Sequence, residues 1–287
     1  MGPGLVIWDG ATIHVEDEIK MKIAPKLFDV VTAGFGVVDR RREDMQIEVS
    51  FTPKMWDSLT KLFPYAATAI GASIYGATDK PLVIKPLSGS GWTISNAAIT
   101  KLPNILLSGT KAMLGEMTLT GLLANSAGTG TMSSYIATAA GGELAGFDLT
   151  KILNGLYTGA WGAGLTTFHS ESGFEISFDL SLEDVKVDGL GTVDKMLTAL
   201  AATCKVTPVG PSAGDVISIH GEKAIGEGAP KNDLVITGGR AGLPVVTLKN
   251  CTAQMSSGRT GQKVKRIGEM EFKTVRTALG TALWTIA

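Results

Sequence analysis

From Met45 to Thr52 the chain alternates without a break. Met45, Ile47, Val49 and Phe51 are apolar, and Gln46, Glu48, Ser50 and Thr52 are polar. A period of two puts the first set on one face of a strand and the second on the other. Residues 174–183 alternate more sharply, with Phe174, Ile176, Phe178, Leu180 and Leu182 against Glu175, Ser177, Asp179, Ser181 and Glu183. Each stretch predicts a strand with one face in a core and one face wet. After each, the period lengthens. Thr52-Pro53 offers an N-cap and a first-turn proline ahead of Trp56, Leu59, Leu62 and Phe63 on one helical face. Thr192 likewise precedes Val193, Met196, Leu197, Leu200 and Cys204 at i, i+3, i+4, i+7 and i+11. The spacing therefore predicts one amphipathic helix after each strand.

Further short strands are expected at 72–75, 81–86, 92–102 and 111–119, and again at 216–220, 233–237, 245–255 and 262–274. Leu5 to Trp8 ahead of Asp9-Gly10 reads as a strand entering a tight turn, with 12–15 as its return partner. Residues 30–38 read as an extended piece broken by glycine, and a short helix is expected around 149–157.

Several words occur twice in the same order. Gly115-Glu116-Met117 returns as Gly268-Glu269-Met270, an offset of 153. Upstream, Ile47–Phe51 matches 174–178, 59–62 matches 197–200, 73–76 matches 218–221, and 82–84 matches 234–236, at offsets of 127, 138, 145 and 152. A rising offset is what a duplicated domain with loop insertions produces, and a period near 150 is too long for a solenoid unit. The expectation is mainly β: two tandem homologous β-sandwich or barrel domains, each with one flanking α-helix. The first, with an N-terminal arm, spans 1–125. A Gly/Ala/Ser/Thr-rich linker spans 126–168, and the second domain with a C-terminal tail spans 169–287.

Composition agrees with that picture. A chain of 287 residues suits two ordinary domains, 36 glycines suit turns, and 18% charged residues suit few exposed helices. A net charge of −1 provides no global field to recruit nucleic acid or an anionic membrane. Cys204 and Cys251 form no C-x-x-C pair and read as buried reduced thiols, while His14, His169 and His220 show no ligand spacing, so no metal is expected. No stretch reaches the roughly 20 apolar residues of a membrane span, and the start lacks a signal-peptide pattern. There is no phosphate-loop motif and no nucleophile elbow, and the repeated residues are packing residues. No catalytic residue and no cofactor is expected.

Two charged groups stand out. Arg40-Arg41-Arg42 lies between Asp39 and Glu43-Asp44. It suits nucleic-acid contact, a charged hairpin tip or an intersubunit salt-bridge cluster, and the flanking acids favour the last two. Arg259, Lys263, Lys265 and Arg266 around Gly258-Arg259-Thr260-Gly261 suit an anion-binding, a solvated or an interface hairpin.

The run from Arg40 to Pro53 leading to Trp56, the repeated Gly-Glu-Met strand, the Gly/Ser/Thr-rich loops and the closing stretch 278–286 together resemble a tail tube protein of a long-tailed bacteriophage. That family implies a β-sandwich or barrel flanked by a helix. It also implies rings that stack, and a lumen that conducts DNA during ejection. Many members have one domain per chain and six chains per ring. Two domains in this chain imply a homotrimeric ring with pseudo-sixfold symmetry, which also removes exposed strand edges. The resemblance further implies a virion protein assembled in the bacterial cytoplasm, partnered with tape measure, terminator and distal tail proteins and in transient contact with DNA, with no membrane partner. Under that reading the lumen candidates are Glu48, Ser50, Glu116, Thr118, Glu175, Ser177, Glu269 and Glu271, because a neutral or negative wall lets DNA slide. Arg40, Arg41, Arg42, Arg259, Lys263, Lys265 and Arg266 become the intersubunit candidates. The arm 1–40, the loop 64–92 and the tail after Thr274 are candidates for ring-to-ring contact. The alternatives are a single-ring hub or distal tail component, and a carbohydrate-binding β protein using Trp92, Trp161 and Trp284.

Overall fold

The computed structural model describes residues 4–76, 80–87, 90–111, 113–122, 136–140, 153–162, 165–188, 190–209, 225–255, 258–260 and 265–287. Antiparallel strands dominate. The first part carries β1 (Gly4–Trp8), β2 (Ala11–Val15), β3 (Lys20–Thr32), β4 (Gly36–Phe51), β5 (Met55–Trp56), β6 (Leu82–Pro86), β7 (Ser90–Ile94), β8 (Ala97–Lys101), β9 (Ile105–Leu107), β10 (Met113–Leu114) and β11 (Met117–Leu122). There follow β12 (Ile136–Ala140), β13 (Tyr157–Trp161), β14 (Leu165–Ser170), β15 (Phe174–Val187), β16 (Gly191–Val206), β17 (Pro208–Val209), β18 (Asn232–Gly238), β19 (Val246–Met255), β20 (Gly258–Thr260), β21 (Lys265–Ile267), β22 (Met270–Thr274) and β23 (Trp284–Ile286).

Turn chemistry sets the first hairpin. Asp9 and Gly10 take φ of 48° and 71°, the two left-handed positions of a type I′ turn, whose twist matches the strands it joins. β3 and β4 form a much longer hairpin, paired from Lys20↔Ser50 out to Thr32↔Gly36. Its inner part follows the alternation read from the sequence, with Ile47, Val49 and Phe51 buried. Its outer part, residues 25–43, has solvent on both faces, and only Val30 is half-buried.

The strands form a six-stranded sheet (β12-β7-β6-β1-β2-β5), a four-stranded sheet (β3-β4-β11-β8) and a large sheet (β10-β9-β15-β16-β22-β19-β18-β13-β14-β17, with β23 joined to β19). One hydrophobic core runs through both parts of the chain, from Val6 and Trp8 to Trp284 and Ile286. The stretch 97–107 stitches the sheets together: β8 pairs with β11, and β9, a few residues on, pairs with β15.

Some pairings in the first part have counterparts in the second. Trp8 ends β1 opposite Leu82 and donates its indole N–H to the Ala97 carbonyl at 2.8 Å. Trp161 ends β13 opposite Leu234 and donates to the Cys251 carbonyl at 3.2 Å. Met117 and Leu119 pair with Phe51 and Val49, and Met270 and Phe272 pair with Val206 and Cys204. Phe51-Thr52-Pro53 leads into β5, paired to His14, while Val206-Thr207-Pro208 leads into β17, paired to His169.

Several expectations are corrected. Among the described residues there is no flanking α-helix, only the 3₁₀ turn Thr60–Leu62. The first predicted helix is held extended because Met55 and Trp56 pair with β2 and the Lys54 N–H donates to the His14 carbonyl at 2.9 Å. The second is strand β16, paired along its length with β15. The overlooked signal is Asp188-Gly189, a turn-favouring dipeptide followed after Leu190-Gly191 by the β-branched Thr192 and Val193. The Leu190 N–H closes that turn on the Val187 carbonyl at 3.1 Å.

Ile47–Phe51 lies on the second strand of its hairpin and Phe174–Phe178 on the first of the other, so the match at offset 127 joins non-equivalent strands. Residues 73–75 make a single bridge to Met196 in place of a strand, and 92–102 breaks at Ser95-Asn96. The segment 126–168 contains β12, β13 and part of β14, which join two different sheets, and the described part of 149–157 is not helical. The predicted strand 216–220 lies outside the described residues.

Candidate functional site

The polar strand faces come first, because alternation forces them outward once the apolar set is in the core. On the first sheet, Ser50 and Thr118 share a hydroxyl hydrogen bond of 2.9 Å across β4 and β11, and Thr100 and Thr120 share one of 2.8 Å across β8 and β11. Glu48 lies 3.5 Å from the Lys22 ammonium, and Glu116 lies 3.1 Å from that of Lys101. On the large sheet, Glu175 stands opposite Lys205, Lys205 opposite Glu271, and Glu271 opposite Gln254. Ser177 stands opposite Thr203. Glu269 is exposed at the entrance to β22. Each face is therefore a ladder of hydroxyls and alternating charges, with lysines that sequence reasoning left out. β8 and β15, in different sheets, are in contact.

The intersubunit candidates split. Arg40, Arg41 and Arg42 lie on the outer part of β4, away from the hairpin tip at Thr32–Gly36. Arg40 Nε pairs with Asp29 at 2.8 Å, Arg41 Nε with Asp39 at 3.2 Å, and Lys26 with Glu43 at 2.7 Å. Arg42 donates to Met45 Sδ. Arg259, Lys265 and Arg266 belong to the β20–β21 hairpin, with Arg259 opposite Arg266, in a different sheet from β4. Lys263 lies outside the described residues.

Around the charged stretch, the outer hairpin exposes Leu27, Phe28, Val31, Val37 and Val38, and Phe35 at its tip is 87% exposed. Large apolar side chains left exposed in this number on one projecting element mark a place where another surface binds.

Of the ring-contact candidates, much of the rest is used inside the chain. Residues 4–15 form the buried β1–β2 hairpin, Tyr65, Ile74 and Tyr75 are buried, and Leu283, Trp284 and Ile286 of the tail are in the core. The Leu283 N–H donates to the Ala66 carbonyl at 2.8 Å, and Phe178 packs between Phe63 and Trp284 at 4.9 and 4.8 Å. Trp161 and Trp284 are buried, which removes them from a sugar-binding surface; Trp92 is half-buried.

A polar junction, not foreseen from the sequence, ties the two long hairpins together. Asp44 accepts from the Thr192 hydroxyl at 2.6 Å and N–H at 3.1 Å, and from the Met45 N–H at 2.8 Å. Burial pushes the Asp44 carboxyl up, but these bonds and the Gln46 amide outweigh it and hold the group below the usual carboxylate value. Nearby, the Ser73 hydroxyl donates to Asp194 at 2.7 Å and Lys195 pairs with Asp184. Gly191, at φ 77°, brings its α-carbon so close to this point that a Cβ would sit 2.7 Å from the Glu43 carbonyl oxygen.

Beyond the inner end of β4 lies a groove of about 370 Å³, walled by Trp56, Leu59, Leu153, Leu243, Pro244 and Ile286. Cys204 and Cys251 are buried free thiols, and burial pushes Cys204 well up and Cys251 up to about 12. Among the described residues no group of three His, Cys, Asp or Glu is placed to hold a metal ion, and no helix is long and apolar enough to cross a membrane.

The sequence matches no protein-family profile and no curated protein.

Proposed function

We propose that the chain is a tail-tube subunit of a long-tailed bacteriophage, built from two tandem copies of one β domain, with a structural and not a catalytic role. The observation that carries this reading is the pair of four-strand sets, β3-β4-β11-β8 and β15-β16-β22-β19. Each starts with a long hairpin and contains the Gly-Glu-Met strand at the same place, and the two are in contact through β8 and β15. The paired positions Trp8/Trp161, Phe51/Val206, Pro53/Pro208, Leu82/Leu234 and Met117/Met270 are offset by 152 to 155 residues, which is steadier than the offsets read from words alone. Three chains supply six such units, and a closed ring leaves no strand edge free. The hydroxyl and balanced-charge ladders then line the channel, where offsetting lysines and acids leave no net field to grip phosphates during DNA passage. The working site is the virion tail, assembled in the host cytoplasm with tape measure, terminator and distal tail proteins as neighbours. The projecting hairpin supports stacking over a single-ring hub, because a lone ring has no second ring to receive it.

Electron microscopy of the purified protein tests the reading. Stacked rings with three chains per layer and an open channel are the expected result. Single closed rings identify a hub or distal-tail component, and a dispersed chain that binds sugar identifies the carbohydrate reading. Within assembled tubes, Ser50→Arg with Thr118→Arg is expected to make the channel retain DNA in a salt-dependent way. Unchanged retention places those faces outside the lumen.

A further inference from the structure

We infer that the tip of the β3–β4 hairpin of one copy occupies the apolar groove of the next copy, giving a head-to-tail contact that propagates. This deepens the assembly reading above and rests on it. The two surfaces are complementary in kind. The tip presents Phe35, 87% exposed, with Val31 and Val37 beside it, and the groove presents Trp56, Leu59, Leu153, Leu243, Pro244 and Ile286.

They cannot meet within one chain. The 16-residue β4 separates them, a span of about 50 Å at the rise of an extended strand, and the ladder from Lys20↔Ser50 to Thr32↔Gly36 keeps the hairpin extended. The tip is at the outer end of β4, and the groove opens where the chain leaves its inner end. A patch at one end and its complement at the other make a heterologous contact, which builds an open stack.

Charge runs the same way. The projecting residues 25–43 carry four basic and three acidic side chains, whereas 9–18 with 52–61, around the groove end, carry five acids and two lysines. Glu16, Asp17 and Asp57 there are exposed. A net-basic hairpin meeting a net-acidic end steers copies into this orientation and against tip-to-tip pairing.

The test is disulfide trapping between two variants that each carry one added cysteine. Phe35→Cys marks the tip and Ser58→Cys the groove rim, while Leu87→Cys, exposed beyond the far end of β6, is the control. The native Cys204 and Cys251 are fully buried and stay silent. Each variant is first shown to melt like the parent protein. Mixed and mildly oxidised, Phe35→Cys and Ser58→Cys are expected to give a one-to-one cross-linked dimer as the main product, absent when Leu87→Cys replaces Ser58→Cys. Phe35→Asp is expected to lose polymerisation while remaining folded. Polymers that form without the tip-to-groove cross-link, or that survive Phe35→Asp, overturn this contact and leave ring stacking standing. Parent chains that never polymerise, and variants that never cross-link, overturn both.

Discussion

At the scale of single residues, two indole groups make bonds of the same kind. Trp8 and Trp161 are both fully buried, and each satisfies a carbonyl of a strand in its own part of the chain. Replacing either by Phe leaves that carbonyl orphaned and opens a void, so each change is expected to cost about 2–3 kcal/mol in urea unfolding. A large loss at one site and none at the other would argue against equivalent roles. Asp44 sets a pH dependence. Its folded-state carboxyl titrates below the ordinary 3.8, so its contribution is complete above that value and is lost as pH falls through the lower, folded value. Asp44→Asn is expected to lose about 1 kcal/mol near neutrality, a figure kept small by solvent screening, and to flatten the acid limb of the stability curve. Melting temperatures from pH 7 down to pH 2 check the sign. An Asp44→Asn protein whose acid limb matches the parent's would remove the group from this role.

At the scale of elements, the two long hairpins behave differently. The outer β3–β4 hairpin buries little, so replacing residues 27–43 by a two-residue Asn-Gly turn between the paired Lys26 and Asp44 is expected to leave the melting temperature within a few degrees while abolishing assembly, read by sedimentation velocity. The β15–β16 hairpin instead presses its tip on the root of the other. Gly191→Ala adds a Cβ against the Glu43 carbonyl at a left-handed φ and is expected to cost about 2 kcal/mol by denaturant unfolding. The hairpin also shows where periodicity misleads. Val193, Leu197, Leu200 and Cys204 satisfy a helical spacing, yet in β16 Leu197 and Cys204 face the core while the rest reach intermediate burial. Pairing with β15 provides the backbone hydrogen bonds that a helix would have supplied internally, and a bulge at Ser181/Leu182 shifts the register enough to blur the alternation.

At the scale of the molecule, a continuous core couples the two parts. β9 and β10 complete the large sheet from the first part, and the C-terminal stretch covers residues 63–68. Fragments 1–125 and 169–287 expressed separately are each expected to lack cooperative melting, with co-expression restoring it; two independently melting fragments would show that the shared core is dispensable. Much of the fold was legible in residue order. Alternation at 45–52 and 174–183, the Asp9-Gly10 turn and the buried thiols follow from local rules, because which face is wet and which turn is tight depend on neighbours a few positions away. The partner of a strand depends on residues far along the chain. Hence the extended state of 52–56 and 192–204, the stitching of two sheets through 97–107, the Asp44–Thr192 junction and the groove at Trp56 and Leu243 were settled only in three dimensions. Long-range pairing and packing outweigh local helical propensity there, and no short window of sequence contains them.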